Sequence, residues 1–241
     1  MCGRTTLTFS RDALAQLLDV DEVDAPELPI SWNVAPTQPV YTVATSSGGK
    51  RKLGALRWGL VPSWAKDPRI GTRLINARSE TLTKRPVFRS LISTRRALLP
   101  VSGFYEWRRP VPGSPALKQP FYFHRADDEP LVFAGLWDLW LDAEGRPLRS
   151  CTIITTTANG AVAPVHSRMP VVVPAGAWDE WLSPGPLGAG RLHELLAPAP
   201  DDLLDARPVG SAVNRAQNDG PELVNPVTFA DARATTLLTS P

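Results

Sequence analysis

The sequence predicts an α+β fold, a single domain built mostly on antiparallel sheet with a few flanking helices. Three observations carry this expectation. The chain has 241 residues, the length of one domain or at most two. Short runs rich in β-branched and aromatic residues outnumber the helical stretches, and they do not alternate with long helices as a parallel α/β sheet requires. The 25 prolines and 17 glycines punctuate those runs, yet together they stay below the share of roughly 25–30% that marks low-complexity disorder.

In chain order, the first element is a helix in which Ala13, Leu14, Leu17 and Leu18 share one face and Ser10 supplies the cap. Strands are expected at 40–45, 53–61, 73–77, 96–101, 104–107, 121–125, 131–141, 152–157 and 169–173, separated by Pro, Gly, Asn and Asp punctuation. Helices are expected at 79–93, 175–182 and 191–196. Residues 108–119, with three prolines, read as a loop within the domain. There is no internal repeat.

Composition excludes several classes. No stretch approaches the roughly 18 consecutive apolar residues of a membrane helix, and the first dozen residues lack the apolar run of a secretory signal. A cytoplasmic protein with no membrane association is the expectation. Cys2 and Cys151 are too few and too distant for a disulfide framework, and neither lies in a CxxC pair, so no structural metal is expected. The net charge of +2 hides an uneven distribution. Residues 66–96 carry nine basic side chains against Asp67 and Glu80, whereas acidic residues dominate from 176 onward. Folded onto one face, the basic stretch would attract a polyanion; a solvated helix and loop is the plainer alternative.

Cys2 is the most informative single residue. Loss of Met1 would leave an α-amine and a thiol on adjacent carbons, titrating near ~7.7–8.0 and ~8.5 against ~10.4 for a lysine amine. Such an amine attacks an aldehyde to give an imine, and the thiol can then close a five-membered thiazolidine. An inert residue beside a translation start is the alternative. Three segments are too polar for packing alone: INARSET at 75–81, with Asn76, Arg78 and Glu80 after a strand; GFYEW at 103–107, with Glu106 among aromatics; and VHSRMP at 165–170, with His166 and Arg168. Burial would raise the Glu106 pKa and suit it to general acid work, whereas strand alternation equally allows it to face solvent. His124, His193 and Cys151 read as structural or exposed. Trp64, in the loop VPSWAKDP beside the basic segment, suits either base stacking or a hydrophobic plug.

Together these segments resemble the SRAP (SOS response-associated peptidase) family. The matching pieces run in family order: MCGR, WNVAPTQPV at 32–40, RWGLVPSWAKDP at 57–68, LINARSET at 74–81, RRALLPVSGFYEW at 95–107, FYFHRADDEPLVFAGLWD at 121–138, TIITTTAN at 152–159, VHSRMPVVV at 165–173 and AVNRAQNDGPELVNPV at 212–227. The resemblance implies a barrel-like SRAP domain over 1–228 with a tail at 229–241. It implies a monomer without cofactor that binds single-stranded DNA and captures abasic sites covalently, nucleoid-associated when bound. Cys2 would form the thiazolidine with the ring-opened deoxyribose, and Asn76 would position it. Glu106 would act as acid and base, and His166 would assist imine formation and reversal. Arg4, Asn33, Trp64, Arg78, Arg85 and Arg168 would line the DNA path. The peptidase label would reflect exposure of Cys2, with lyase-type Schiff-base chemistry following.

Two other readings remain open at the level of sequence. An MCG start also suits an N-terminal-nucleophile amidotransferase or peptidase, in which the Cys2 thiolate attacks an amide carbonyl. A non-covalent module for single-stranded DNA would need no chemistry from Cys2.

Overall fold

The structure is a computed structural model, and it describes residues 2–110 and 118–228. Met1, residues 111–117 of the expected loop and the expected tail at 229–241 lie outside the described residues. The fold is α+β, as expected, with two sheets.

The larger sheet is organised around a ring. Strands β4 (Pro39–Thr45) and β5 (Arg51–Trp58) form one hairpin, and β10 (Leu131–Leu141) and β11 (Pro147–Thr157) form another. β7 (Arg96–Val101) lies between β10 and β4, and a short parallel pairing of β11 with β5 at Ser150↔Arg57 and Cys151↔Trp58 closes the circuit. Both hairpin turns use glycines in the left-handed region, Gly49 at φ 81° and Gly145 at φ 79°. Asp142 Oδ1 accepts from the backbone N–H groups of Glu144 and Arg146 at 3.0 and 2.8 Å, which fixes the second turn. Three short strands extend the ring: β2 (Glu22–Asp24) beside β5, and β6 (Asn76–Arg78) and β12 (Arg168–Pro170) on β11.

The smaller sheet has the order β13 (Leu204–Pro208), β9 (Gln119–Arg125), β8 (Gly103–Arg108), β1 (Thr5–Leu7), β3 (Ser31–Val34). One core, with Phe104, Phe123 and Phe133 in ring contact, joins the two sheets. A separate cluster of Tyr105, Tyr122, Val209 and Val213 forms on the other face of the smaller sheet. Alternation along β8 therefore sends Phe104 and Glu106 one way and Tyr105 the other.

Several elements differ from expectation for identifiable reasons. The helix expected at 79–93 is broken into a 3₁₀ turn Ser79–Thr81, α2 (Pro86–Arg89) and α3 (Leu91–Thr94). Pro86 forces Arg85 into an extended conformation, φ −80° and ψ 124°, and restarts the helix at its own position. The strand expected at 73–77 begins only at Asn76, because Asp67 caps a 3₁₀ helix Pro68–Arg73 that occupies the preceding residues. In α1 (Arg11–Leu17) Ser10 accepts from Ala13 N–H as expected, but only Leu14 and Leu18 turn inward while Ala13 and Leu17 are exposed. The segment at 175–182 is a 3₁₀ turn leading into α4 (Trp178–Leu182), and the last helix is α5 (Ala189–Leu195). No helix among the described residues is long and apolar enough to cross a membrane.

Candidate active site

Cys2 lies where the two sheets meet. β1 pairs with β8 at Thr5↔Phe104 and Thr6↔Gly103, and Tyr105 N–H donates to the Arg4 carbonyl at 2.9 Å. This antiparallel direction carries the N-terminus toward Glu106. Cys2 is fully buried, and its thiol makes a long contact to the Arg4 carbonyl at 3.9 Å. Burial pushes the Cys2 thiol well above its ordinary value, and the Glu106 carboxylate pushes it the same way. The sulfur is therefore held as a thiol at neutral pH.

Asn76 reaches Cys2 from the other sheet. β6 runs parallel to β11, with Ile153↔Asn76 and Thr155↔Arg78, and Trp58 Nε1 donates to the Ile75 carbonyl at 2.9 Å to fix its entry. Asn76 Nδ2 donates to the Cys2 carbonyl at 2.7 Å. Asn76 Oδ1 is buried with no hydrogen-bond partner among the described residues. Arg78, two residues on and so on the same side of β6, is exposed and its guanidinium forms no ion pair among the described residues.

Glu106 is 2% exposed, on the core side of β8. Burial raises its carboxyl above the ordinary glutamate range, and neighbouring positive charge, His166 included, opposes the shift. His166 Nδ1 lies 3.9 Å from Glu106 Oε1. The same Nδ1 lies 3.0 Å from the Arg168 backbone N–H and 3.1 Å from the Arg168 carbonyl, so the Arg168 backbone positions the ring in either tautomer. Asn159 presents this histidine. Its side chain, 7% exposed, accepts from Val162 N–H and donates to the carbonyls of Ala199 and Pro200, anchoring the turn that ends in His166. Sequence reasoning missed Asn159, because a single buried amide carries no period or spacing.

The remaining expected residues divide. Arg168 is held by a bidentate pair with Glu80 and donates to the Thr155 carbonyl at 2.5 Å. Arg4 donates to Asn33 Oδ1 at 2.6 Å and to the Val213 carbonyl at 2.7 Å. Asn33 is buried and donates to the carbonyls of Arg215 and Asn218 at 3.0 and 2.7 Å. Arg4 and Asn33 thus form a clasp between the N-terminal strand and the 213–218 segment. Trp64 is 65% exposed on a braced loop: Ser63 N–H donates to Asp138 at 2.9 Å, and Trp140 Nε1 donates to the Ala65 carbonyl at 2.7 Å. Arg85 is exposed, with its guanidinium 5.4 Å from the Phe88 ring. No hydrogen bond or ion pair among the described residues ties Trp64 or Arg85 to the Cys2 group. Arg96, one of the nine basic residues of 66–96, turns inward. It is buried and donates to the carbonyls of Trp181, Ile92, Gly185 and Ser183.

Among the described residues no three His, Cys, Asp or Glu side chains gather into a group that could hold a metal. The arrangement offers a buried thiol, a carboxyl with a raised pKa and an imidazole behind it. It is suited to proton transfer around a nucleophile at Cys2.

The family model described as SOS response associated peptidase (SRAP) matches residues 1–216. The abasic site processing protein YoqW of Bacillus subtilis (strain 168) is 40% identical over 225 residues, 93% of this chain and 99% of its own. The abasic site processing protein YedK of Escherichia coli (strain K12) is 30% identical over 233 residues, 94% of this chain and 100% of its own. Among solved structures, a protein from Bacteroides thetaiotaomicron matches with a TM-score of 0.82 at 26% identity, covering 94% of this chain and 100% of its own.

Proposed function

The chain belongs to the SOS response associated peptidase (SRAP) family, and on that premise we propose that it captures abasic sites in single-stranded DNA as a thiazolidine on Cys2. With Met1 removed, the Cys2 α-amine attacks C1′ of the ring-opened deoxyribose and the aldehyde oxygen takes a proton. The resulting carbinolamine loses water as the nitrogen lone pair forms the imine, and the Glu106 carboxyl protonates the departing hydroxyl. The thiol then adds to the imine carbon: the carbon–sulfur bond forms, the imine π pair moves to nitrogen, and the thiol proton ends there by way of Glu106. His166 exchanges protons with Glu106. Ring closure consumes the imine before it can drive β-elimination, so the strand stays intact.

The observation that carries this reading is the grip of Asn76 on Cys2. One end of its amide holds the Cys2 carbonyl at 2.7 Å, while the other presents a buried acceptor without a partner among the described residues. Such an acceptor suits the N–H donors of a free α-amine. An inert residue would need no such orientation. Trp64 offers a stacking face for a base, Arg78 and Arg85 offer exposed cations to phosphates, and Arg168 would join them. Arg4 and Asn33 support the site by holding the N-terminal strand in place.

The test is denaturing electrophoresis and intact mass after incubation with single-stranded DNA carrying one abasic site. A heat-stable adduct is expected, with the mass of the Met1-less protein plus DNA minus one water. It should be absent from Cys2→Ala and from protein that retains Met1. Failure of the processed parent protein to form it overturns the reading.

A further inference from the structure

We propose that Glu80 is a displaceable stand-in for a DNA phosphate: its carboxylate occupies Arg168 in the free protein and gives way when a strand binds. The inference rests on the reading of the site above and adds a residue that sets how tightly the strand is held.

Arg168 meets Glu80 through both terminal nitrogens, Nη1 to Oε1 and Nη2 to Oε2, the latter at 3.0 Å. This fork is also the geometry in which a guanidinium holds two phosphate oxygens, so a carboxylate and a phosphate compete for the same donors. The two partners are unequally held. The Arg168 side chain is 14% exposed and that of Glu80 is 50% exposed. Arg168 is anchored by Thr155 through Nη2 and by His166 through its backbone N–H. Glu80 stands on the short 3₁₀ turn Ser79–Thr81 at the edge of a cavity of about 430 Å³ that it lines with Thr83, Thr157, Leu192 and His193. The carboxylate has room to swing away, and the guanidinium does not. Arg78 pairs in register with Thr155, on the strand that also holds the Arg168 side chain, so a phosphate arriving at Arg168 meets an exposed cation close by. Arg168 also holds the Glu80 carboxyl below its usual range, so the competitor is charged at neutral pH. A half-exposed pair is cheap to open, which makes the exchange reversible. No covalent bond changes.

If Glu80 merely buttressed Arg168, removing its charge would loosen the arginine and weaken binding; a stand-in predicts the opposite sign. Fluorescence anisotropy with intact single-stranded DNA, which has no aldehyde, reads binding without the covalent step. Glu80→Gln is expected to bind about five-fold tighter than the parent at the same salt. In the parent protein, ¹³C NMR of the Glu80 carboxyl, assigned by through-bond correlation to its own backbone, should show its depressed pKa returning toward the ordinary glutamate range when the strand is added. Equal or weaker binding by a folded Glu80→Gln, or a carboxyl that stays depressed in the complex, overturns the proposal. The carboxyl titration decides it alone if the variant fails to fold. Parent protein that binds no intact strand sinks this inference at the level of binding. Parent protein that binds the strand but forms no abasic-site adduct sinks only the covalent reading.

Discussion

At Glu106 the two-residue period of β8 places a carboxyl beside Phe104 on the core side of the sheet, near the Cys2 thiol and 3.9 Å from His166. The folded state keeps this group protonated to a higher pH than the unfolded chain does. Between the ordinary glutamate value near ~4.3 and the folded value, the native protein therefore binds the extra proton, and its stability falls as pH rises through that window. Glu106→Gln removes the penalty. The variant should gain melting temperature relative to the parent at pH 7.5 and lose that advantage at pH 4, as thermal melts at the two pH values would show. The same variant should form adduct at least about 100-fold more slowly, the contribution typical of a positioned acid or base, measured as a single-turnover rate. Gain of stability with loss of rate is the pattern of a group retained for chemistry.

Single elements are set by local chemistry where that chemistry is strong and by neighbours where it is weak. The strands of the β4–β5 and β10–β11 hairpins were legible as runs of β-branched and aromatic residues between turn residues, and their pairing emerged only in the fold. The helix at 79–93 was misread because its apolar period runs across Pro86, whose ring restricts Arg85 before it. Strands β1, β2, β3 and β13 carry too few residues to show a period, and they exist because a partner strand satisfies their backbone. The turn before His166 depends likewise on a distant contact, Asn159 on the carbonyls of Ala199 and Pro200. Asn159→Ala should cost about 1–3 kcal/mol by urea denaturation, because the buried Ala199 carbonyl and the Val162 N–H lose their partner. It should also slow adduct formation more than the stability loss alone explains, since His166 would no longer be held toward Glu106. An adduct rate equal to the parent's would show that the turn holds without this anchor.

Across the whole molecule, the closed ring of the larger sheet and the core shared with the smaller one bring the N-terminus, β6 and the segment before β12 to one place. Arg96 ties the periphery to this frame by donating to four carbonyls from α3 and the 181–185 segment. Arg96→Ala should lower stability by roughly 3 kcal/mol, read as a drop in the denaturant midpoint at unchanged slope, because the buried Trp181 and Ile92 carbonyls are left without a donor. The amino-acid sequence by itself determined the α+β class, most of the longer strands, the reactive potential of an N-terminal Cys2 and the three polar segments around Asn76, Glu106 and His166. Those follow from side-chain chemistry and periods of a few residues, which a linear reading contains. Only the tertiary structure decided that Glu106 faces the core, that Arg96 is buried, that Arg4 and Asn33 form a clasp, and that Glu80 occupies Arg168. Each of these depends on which of several allowed partners a polar group meets across the fold, and burial in the assembled core, not local propensity, makes that choice.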